Sequence, residues 1–399
     1  MFKKLLLSSL FTITFLYATS VDEIVINTLN NNYDLKSLEK SINLANEQIK
    51  ISKNWQNPVL SFGVNDIWFN DTFSRDKEAM QAQFIGFSQV IPLGNKLDIK
   101  KEIAQKDKKI EILNLEDAKL KLQSKIYELS YNILVLEKKE KLLDSYELNI
   151  QKLEKLYVAL SKYGKIKHNE ILNTKVSFES LQLEKQSLRN MIENLYLKLE
   201  QVSYTKINNI DASLDMNETK LEFDIKNHPK ILMQIELSSK YIDISKFENE
   251  NKIPDVKVNV AYFQRDDRFN DYANVSLSIP LPIYKTEEVN SLKAKIQANK
   301  INNDISNLKQ NFNTEVAILQ NDMNTSYKNY NLILNKILPL KQTVQKYLEA
   351  YNSFDQVKPQ ESIKNLNELI IYELKALDEL QNYFIAKSKA IYFTKKAVK

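Results

Sequence analysis

The chain has 399 residues, 43% of them hydrophobic, with 56 basic and 51 acidic side chains and a formal net charge of +5. That near balance excludes a nucleic-acid binder held mainly by phosphates, which needs a concentrated basic excess. With no cysteine, disulfides, thiolate metal sites and a lipidated N-terminal cysteine are excluded, and only 4 glycines, against an average usage of about 7%, leave room for few loops.

The N-terminus reads as a secretory signal over residues 1–20. Lys3 and Lys4 supply the charged region, and Leu5 to Tyr17 form an apolar stretch broken only by Ser and Thr. Ala18, Thr19 and Ser20 then offer cleavage after Ala18 or after Ser20. The stretch is shorter than the roughly 20 residues a spanning helix needs, and no later segment approaches that length without charges. The spacing predicts a helix over Leu35 to Lys53, then two strands, Pro58 to Trp68 and Gln81 to Ile91, closed by Pro92. From Leu97 to Leu160 the composition is that of one long helix, with apolar residues at spacings of three and four that mark a coiled-coil-like seam. About 65 residues at 1.5 Å each make a rod of roughly 100 Å. The pattern stops at Tyr163-Gly164-Lys165, where Gly164 suits a helix C-cap, and resumes from Asn169 to about Ser203. A polar connection, Thr205 to Lys226, follows.

The second half repeats the first. His228-Pro229 opens a helix to about Asn251, and Pro254 begins a strand with Val256, Val258, Val260 and Tyr262 on one face and Lys257, Asn259 and Ala261 on the other. After a charged loop, Ala273, Val275, Leu277 and Ile279 alternate with Asn274, Ser276 and Ser278, and Pro280 ends the strand. From Pro92 to Gly164 is 72 residues, and from Pro280 to the break near Phe354 is 74. The expected organisation is therefore a first repeat over 21–204, a connecting segment over 205–227 and a second repeat over 228–399. Four strands with one apolar and one polar face leave two open edges, which a bilayer forbids. Closure then needs strands from other copies, so a homo-oligomer follows. A sheet packed on a periplasmic helical domain competes, but a rod is poor at covering a sheet face.

The most specific pieces are Asn57-Pro58-Val59-Leu60 and Gly86-Phe87-Ser88-Gln89-Val90-Ile91-Pro92-Leu93-Gly94. Their counterparts are His228-Pro229 with Ile253-Pro254, and Val275-Ser276-Leu277-Ser278-Ile279-Pro280-Leu281. In their order and spacing, from about Asp34 to Ala390, the chain resembles the TolC-type outer-membrane efflux protein family. The resemblance implies a mainly helical fold with a membrane β part. Long antiparallel hairpins would form an α-barrel, and four strands per protomer would join a shared twelve-stranded barrel of a trimer. It implies an outer-membrane location with the helices in the periplasm, and an outer-membrane channel serving a tripartite efflux or type I secretion system. The partners implied are a periplasmic adaptor, an inner-membrane pump and outer-membrane lipid. Gly164, Lys165, Lys167, His168, Asp355 and Lys358 fall at the tips, as gate or adaptor-docking residues, and Pro58, Pro92, Pro254 and Pro280 at strand–helix boundaries. The second tip lacks the glycine the family usually has, and Lys364 and Asn367 stand near the places where some members carry aspartates.

The competing function is a periplasmic coiled-coil adaptor or scaffold without a barrel, disfavoured because all four glycines lie in the first repeat. No nucleophile–base pair, phosphate loop or paired-carboxylate motif stands out, so the expectation is not an enzyme, with no cofactor and no nucleic-acid partner. Two histidines and six methionines make no metal cluster. Aromatics flanking the strands (Trp55, Trp68, Phe69, Phe73, Phe263, Phe269, Tyr272, Tyr284) are expected to form girdles at the lipid interfaces.

Overall fold

A computed structural model describes residues 19–71, 74–164, 166–218, 220–353 and 359–394. In chain order the elements are β1 (Thr19–Ser20), α1 (Val21–Asn31), α2 (Tyr33–Ile51), β2 (Val59–Asn65), β3 (Ala82–Ile91), α3 (Lys96–Ser161), α4 (His168–Ser203) and β4 (Ile210–Asp211). They continue with α5 (Pro229–Glu250), β5 (Val256–Gln264), β6 (Tyr272–Ser278), α6 (Thr286–Leu332), α7 (Leu338–Ser353) and α8 (Pro359–Ile391). The order helix, strand, strand, long helix, helix thus occurs twice. Compactness nevertheless divides the chain crosswise. One unit takes Ser37–Asp117 and Lys226–Gln310, the other Met1–Lys36, Ala118–Ile225 and Asn311–Lys399, so each draws on both halves of the sequence.

The first of these units holds an antiparallel sheet in the order β2-β3-β5-β6. Prolines frame the strands because they cannot donate to a ladder. Pro58 immediately precedes Val59, Pro92 follows Ile91, Pro254 stands two residues before Val256, and Pro280 two after Ser278. The exit from β3 is locked to the entry of β5. The Leu93 N–H donates to Asp255 (3.2 Å), the Asn95 N–H to Glu250 (3.3 Å), and Lys96, almost fully buried, pairs with Asp255. Gly94 makes this turn with φ +73°, and a Cβ there would meet Glu250 Oε2 at 2.8 Å. The helices of this unit pack through small residues. Ser245 and Ser291 share a hydrogen bond of 2.8 Å, Ser238 donates to Asn302 (2.9 Å), and Ala294 and Ala298 are buried. Lys106 reaches Ser239 (2.6 Å) and Asp243 (3.4 Å), tying α3 to α5.

In the other unit, α1 packs Val21, Ile24 and Val25 against Ile126, Ile133 and Leu199. A second cluster joins Val135, Met323, Leu380, Tyr383 and Phe384, covered in part by Leu214, Met216, Leu221 and Phe223 of the extended connection. The Tyr383 hydroxyl donates to the Asn217 carbonyl (2.8 Å), fixing that connection on α8. Between α6 and α7 the chain makes a π-helical turn, Ile333–Ile337, and the Leu338 N–H donates to the Ile333 carbonyl five residues back. The sequence reading passed over the cause, which is Pro339. It has no N–H to give and its ring collides with the carbonyl four residues before it, so the wider turn lets the helix run on through the proline.

Candidate functional site

Strand register sorts the sheet into two unlike faces, because successive side chains point to opposite sides. On one face, Leu60, Phe87, Val260 and Val275 lie in a row across all four strands, flanked by Phe62, Ile85 and Tyr262 and by Val258 and Leu277. Leu60 (62%), Phe62 (81%) and Val275 (70%) are widely exposed, as apolar side chains in a water-soluble sheet face would not be. The opposite face carries Ser61, Gly86, Ala261 and Asn274 in one row and Val59, Ser88, Asn259 and Ser276 in the next. Among the described residues, both edge strands, β2 and β6, have one unpaired side.

The girdle expectation fails for two of its aromatics. Phe263 and Tyr272 stand on the polar face, in one row with Gly63 and Phe84. Phe263 stacks on Tyr272 (4.8 Å, 5° between planes) and on Phe84 (5.4 Å). Phe84 lies where a Cβ on Gly63 would be, at 2.8 Å, so the glycine makes room for the ring. Phe269 lies in the loop beneath Arg265 (5.7 Å) and Arg268 (5.9 Å). Trp55, Trp68, Phe69 and Tyr284 are exposed near strand ends, and Phe73 lies outside the described residues.

Two loops close this end of the sheet and are tied to each other. Buried Gln81 accepts from the N–H groups of Lys77 (2.9 Å) and Glu78 (3.1 Å) and donates to Asp66 (3.1 Å), shaping the first loop. Arg265 donates across to the Ala79 carbonyl (3.2 Å) and Arg268 to that of Asp76. Arg268 also pairs with Asp266 (2.7 Å), and that hydrogen bond holds the Asp266 carboxyl below its usual range. The Ser74 hydroxyl does the same for Asp76.

At the other candidate region, Gly164 adopts φ +71° with nothing within 4 Å of a Cβ, so the backbone conformation alone calls for glycine. Lys167 is the N-cap of α4 and His168 its first residue. Tyr157, Ile166 and Ile171 pack together there with Ile363 of α8, bringing the two helical hairpins side by side. Burial pushes the Tyr157 hydroxyl up to about 12. Lys165, Asp355 and Lys358 lie outside the described residues.

A polar zipper along the helices escaped the sequence reading. Lys185 of α4 pairs with Asp144 (2.6 Å) and Glu147 of α3, and Tyr196 donates to Glu137 (2.7 Å). Tyr146 donates to Glu373 (3.0 Å), and Lys139 pairs with Asp378 (2.6 Å) and Gln381 (2.8 Å), joining α3 to α8. Among the described residues no group of three or more His, Cys, Asp or Glu is placed to hold a metal, and no helix is long and apolar enough to cross a membrane. His228 is the buried N-cap of α5, accepting the Lys230 N–H (3.2 Å).

Residues 25–203 match the family model described as outer membrane efflux protein. Over those residues the chain is similar to this family. Solved structures extend the likeness over both halves of the chain. It superposes on the CmeC outer membrane channel of Campylobacter jejuni with a TM-score of 0.76 at 13% identity, over 94% of this chain and 85% of that one. CusC, described by its transmembrane channel formation, gives 0.78 at 13% over 94% and 92%. The outer membrane protein VceC of Vibrio cholerae gives 0.74 at 10% over 94% and 95%. At such identities these likenesses establish the fold. No curated protein sequence matches the chain.

Proposed function

We propose that this chain works as the outer-membrane channel subunit of a tripartite efflux or secretion system, a passive conduit across the periplasm and outer membrane. The observation that carries the reading is the division of one sheet into an exposed apolar face and a face whose central rows are mostly Ser, Asn, Gly and Ala, with the rings of Phe84, Phe263 and Tyr272 at its loop end. Apolar toward lipid and polar toward a wet lumen is what a transmembrane barrel wall requires. Strands of 7 to 10 residues are near the length that a tilted strand needs to cross the bilayer core. The match to the outer membrane efflux protein model agrees with an outer-membrane location and a periplasmic helical part, and it speaks against a barrel-less adaptor.

Because β2 and β6 each keep an unpaired side, closure would come from other copies, three by the resemblance, giving a shared barrel of twelve strands. The tip region around Gly164, Lys167 and His168 would meet the periplasmic adaptor, with energy supplied by an inner-membrane pump. The two halves would descend from duplication of one helix–strand–strand–helix–helix unit. Purified protein added to planar lipid bilayers is expected to give discrete conductance steps. Failure to insert under conditions in which it remains folded and oligomeric would refute the channel reading.

A further inference from the structure

We propose that Lys257 is the ion-selecting residue of the barrel wall, one lysine from each copy forming a ring of positive charge that favours anions at the helix end of the lumen. The proposal rests on the channel reading, since that reading makes the polar face the lumen wall. Lys257 is the single charged side chain in β2, β3, β5 and β6. It stands on the polar face, in one row with Val90 and Ser278, and it is exposed.

The ordinary reasons for a lysine in a sheet do not apply. β5 is paired on both sides, with β3 and β6, so the charge does not guard an open edge. Among the described residues no carboxylate pairs with it. Asp255, two residues earlier, is held by Lys96 and by the Leu93 N–H (3.2 Å), so its charge is already met. The acidic loops lie beyond Gln264, at the far end of β5. Roughly 23 Å of strand, about two screening lengths in 0.1 M salt, keeps their field from cancelling that of the amine.

Size decides whether such a ring acts on the whole pore. Twelve strands about 4.8 Å apart and tilted by about 40° close at a radius of roughly 12 Å, and the four-carbon stem of lysine reaches about 5 Å inward. Three amines then lie within one screening length of the axis in 0.1 M salt, about 10 Å, but about two or more away in 1 M, where that length is about 3 Å. Screened attraction at that distance enriches anions and depletes cations about two- to four-fold each in the dilute solution. Rings of basic side chains select anions in pores for this reason.

The test is the reversal potential of channels in planar bilayers across a KCl gradient, measured in dilute salt near about 0.1 M and again near about 1 M. Lys257→Gln is expected to lower the chloride-to-potassium permeability ratio about four-fold or more in dilute salt and less than about two-fold in concentrated salt. Lys257→Glu should lower it by about as much again, and Lys257→Arg should leave it unchanged. Because the chain has no cysteine, Lys257→Cys allows the charge to be set after the channel has formed, by thiosulfonate reagents carrying an ammonium or a sulfonate group. The ammonium reagent is expected to raise the ratio and the sulfonate reagent to lower it. Channels whose ratio ignores both the substitutions and the reagents overturn the proposal and leave the channel reading intact, as does a change equally large in concentrated salt. Unaltered protein that forms no channels removes both.

Discussion

Placing a charge on either face of β6 separates a lipid-facing wall from an ordinary sheet. Val275 sits mid-strand in the row Leu60–Phe87–Val260–Val275, and its neighbour Ser276 points to the polar side beside Asn259. An arginine at the bilayer midplane of a barrel costs about 2–4 kcal/mol, whereas lumen positions accept charge. Val275→Arg is therefore expected to destabilise one copy by that amount, and a channel of three copies by roughly 6–12 kcal/mol. Ser276→Arg, one residue away with the same added charge and bulk, should stay within about 0.5 kcal/mol, the range of ordinary surface changes. The assay is urea-dependent folding into lipid vesicles, followed by tryptophan emission and by the oligomer band of unboiled samples. Equal losses for the two variants would refute the assignment of faces, because a sheet wetted on both sides treats them alike.

Gly164→Val should strain the α3–α4 turn by about 1–2 kcal/mol through its positive φ, and Gly164→Asn by much less, read as faster local hydrogen exchange at the tip. The hydrogen bond from Lys185 holds the Glu147 carboxyl below its usual value of 4.5, and the bonds that Lys185 makes to Asp144 and then to Glu147 raise its amine above 10.5. The pairing thus stabilises fully between those two values, and is lost as pH falls through the lowered carboxyl pKa or rises through the raised amine. Lys185→Met should lose stability relative to the parent at pH 7, with the gap closing in acid below 4.5; a gap that persists there would contradict this. At the N-terminus, the Thr19 N–H donates to the Asn209 carbonyl (3.2 Å) and the Ser20 hydroxyl caps α1 by accepting from Glu23 (3.2 Å). Cleavage after Ala18 keeps both, so mass spectrometry of the mature protein is expected to find Thr19 first. Ser20→Ala should cost about 1 kcal/mol in thermal unfolding.

Much of the fold was legible because few residues control it. Pro58, Pro92, Pro254 and Pro280 mark where ladders stop, and the strict alternation from Val256 to Tyr262 states which side of β5 is apolar. The long helix was equally plain, predicted over Leu97 to Leu160 and found over Lys96–Ser161. The same alternation, carried one residue further, puts Phe263 with Lys257 and Asn259; reading it as a girdle residue set composition above parity. The π-helical turn was signalled by Pro339, but a turn that keeps the helix running leaves no break in the apolar pattern. The Lys185 and Tyr146 contacts join residues 38 and 227 positions away, and no spacing within one helix reveals which acid a distant base will meet. The crosswise division into units has the same origin, since it depends on how the two halves pair. At the tips, Gly164 was legible from its type alone, while the roles of Lys167 and His168 depend on a partner surface.

The shared barrel is tested most directly by the mass of the detergent-extracted assembly from the outer-membrane fraction, measured by light scattering with the detergent contribution removed. Three protomers per particle, recovered from that fraction, is the result the account predicts. A single protomer released into the soluble periplasmic fraction would contradict it.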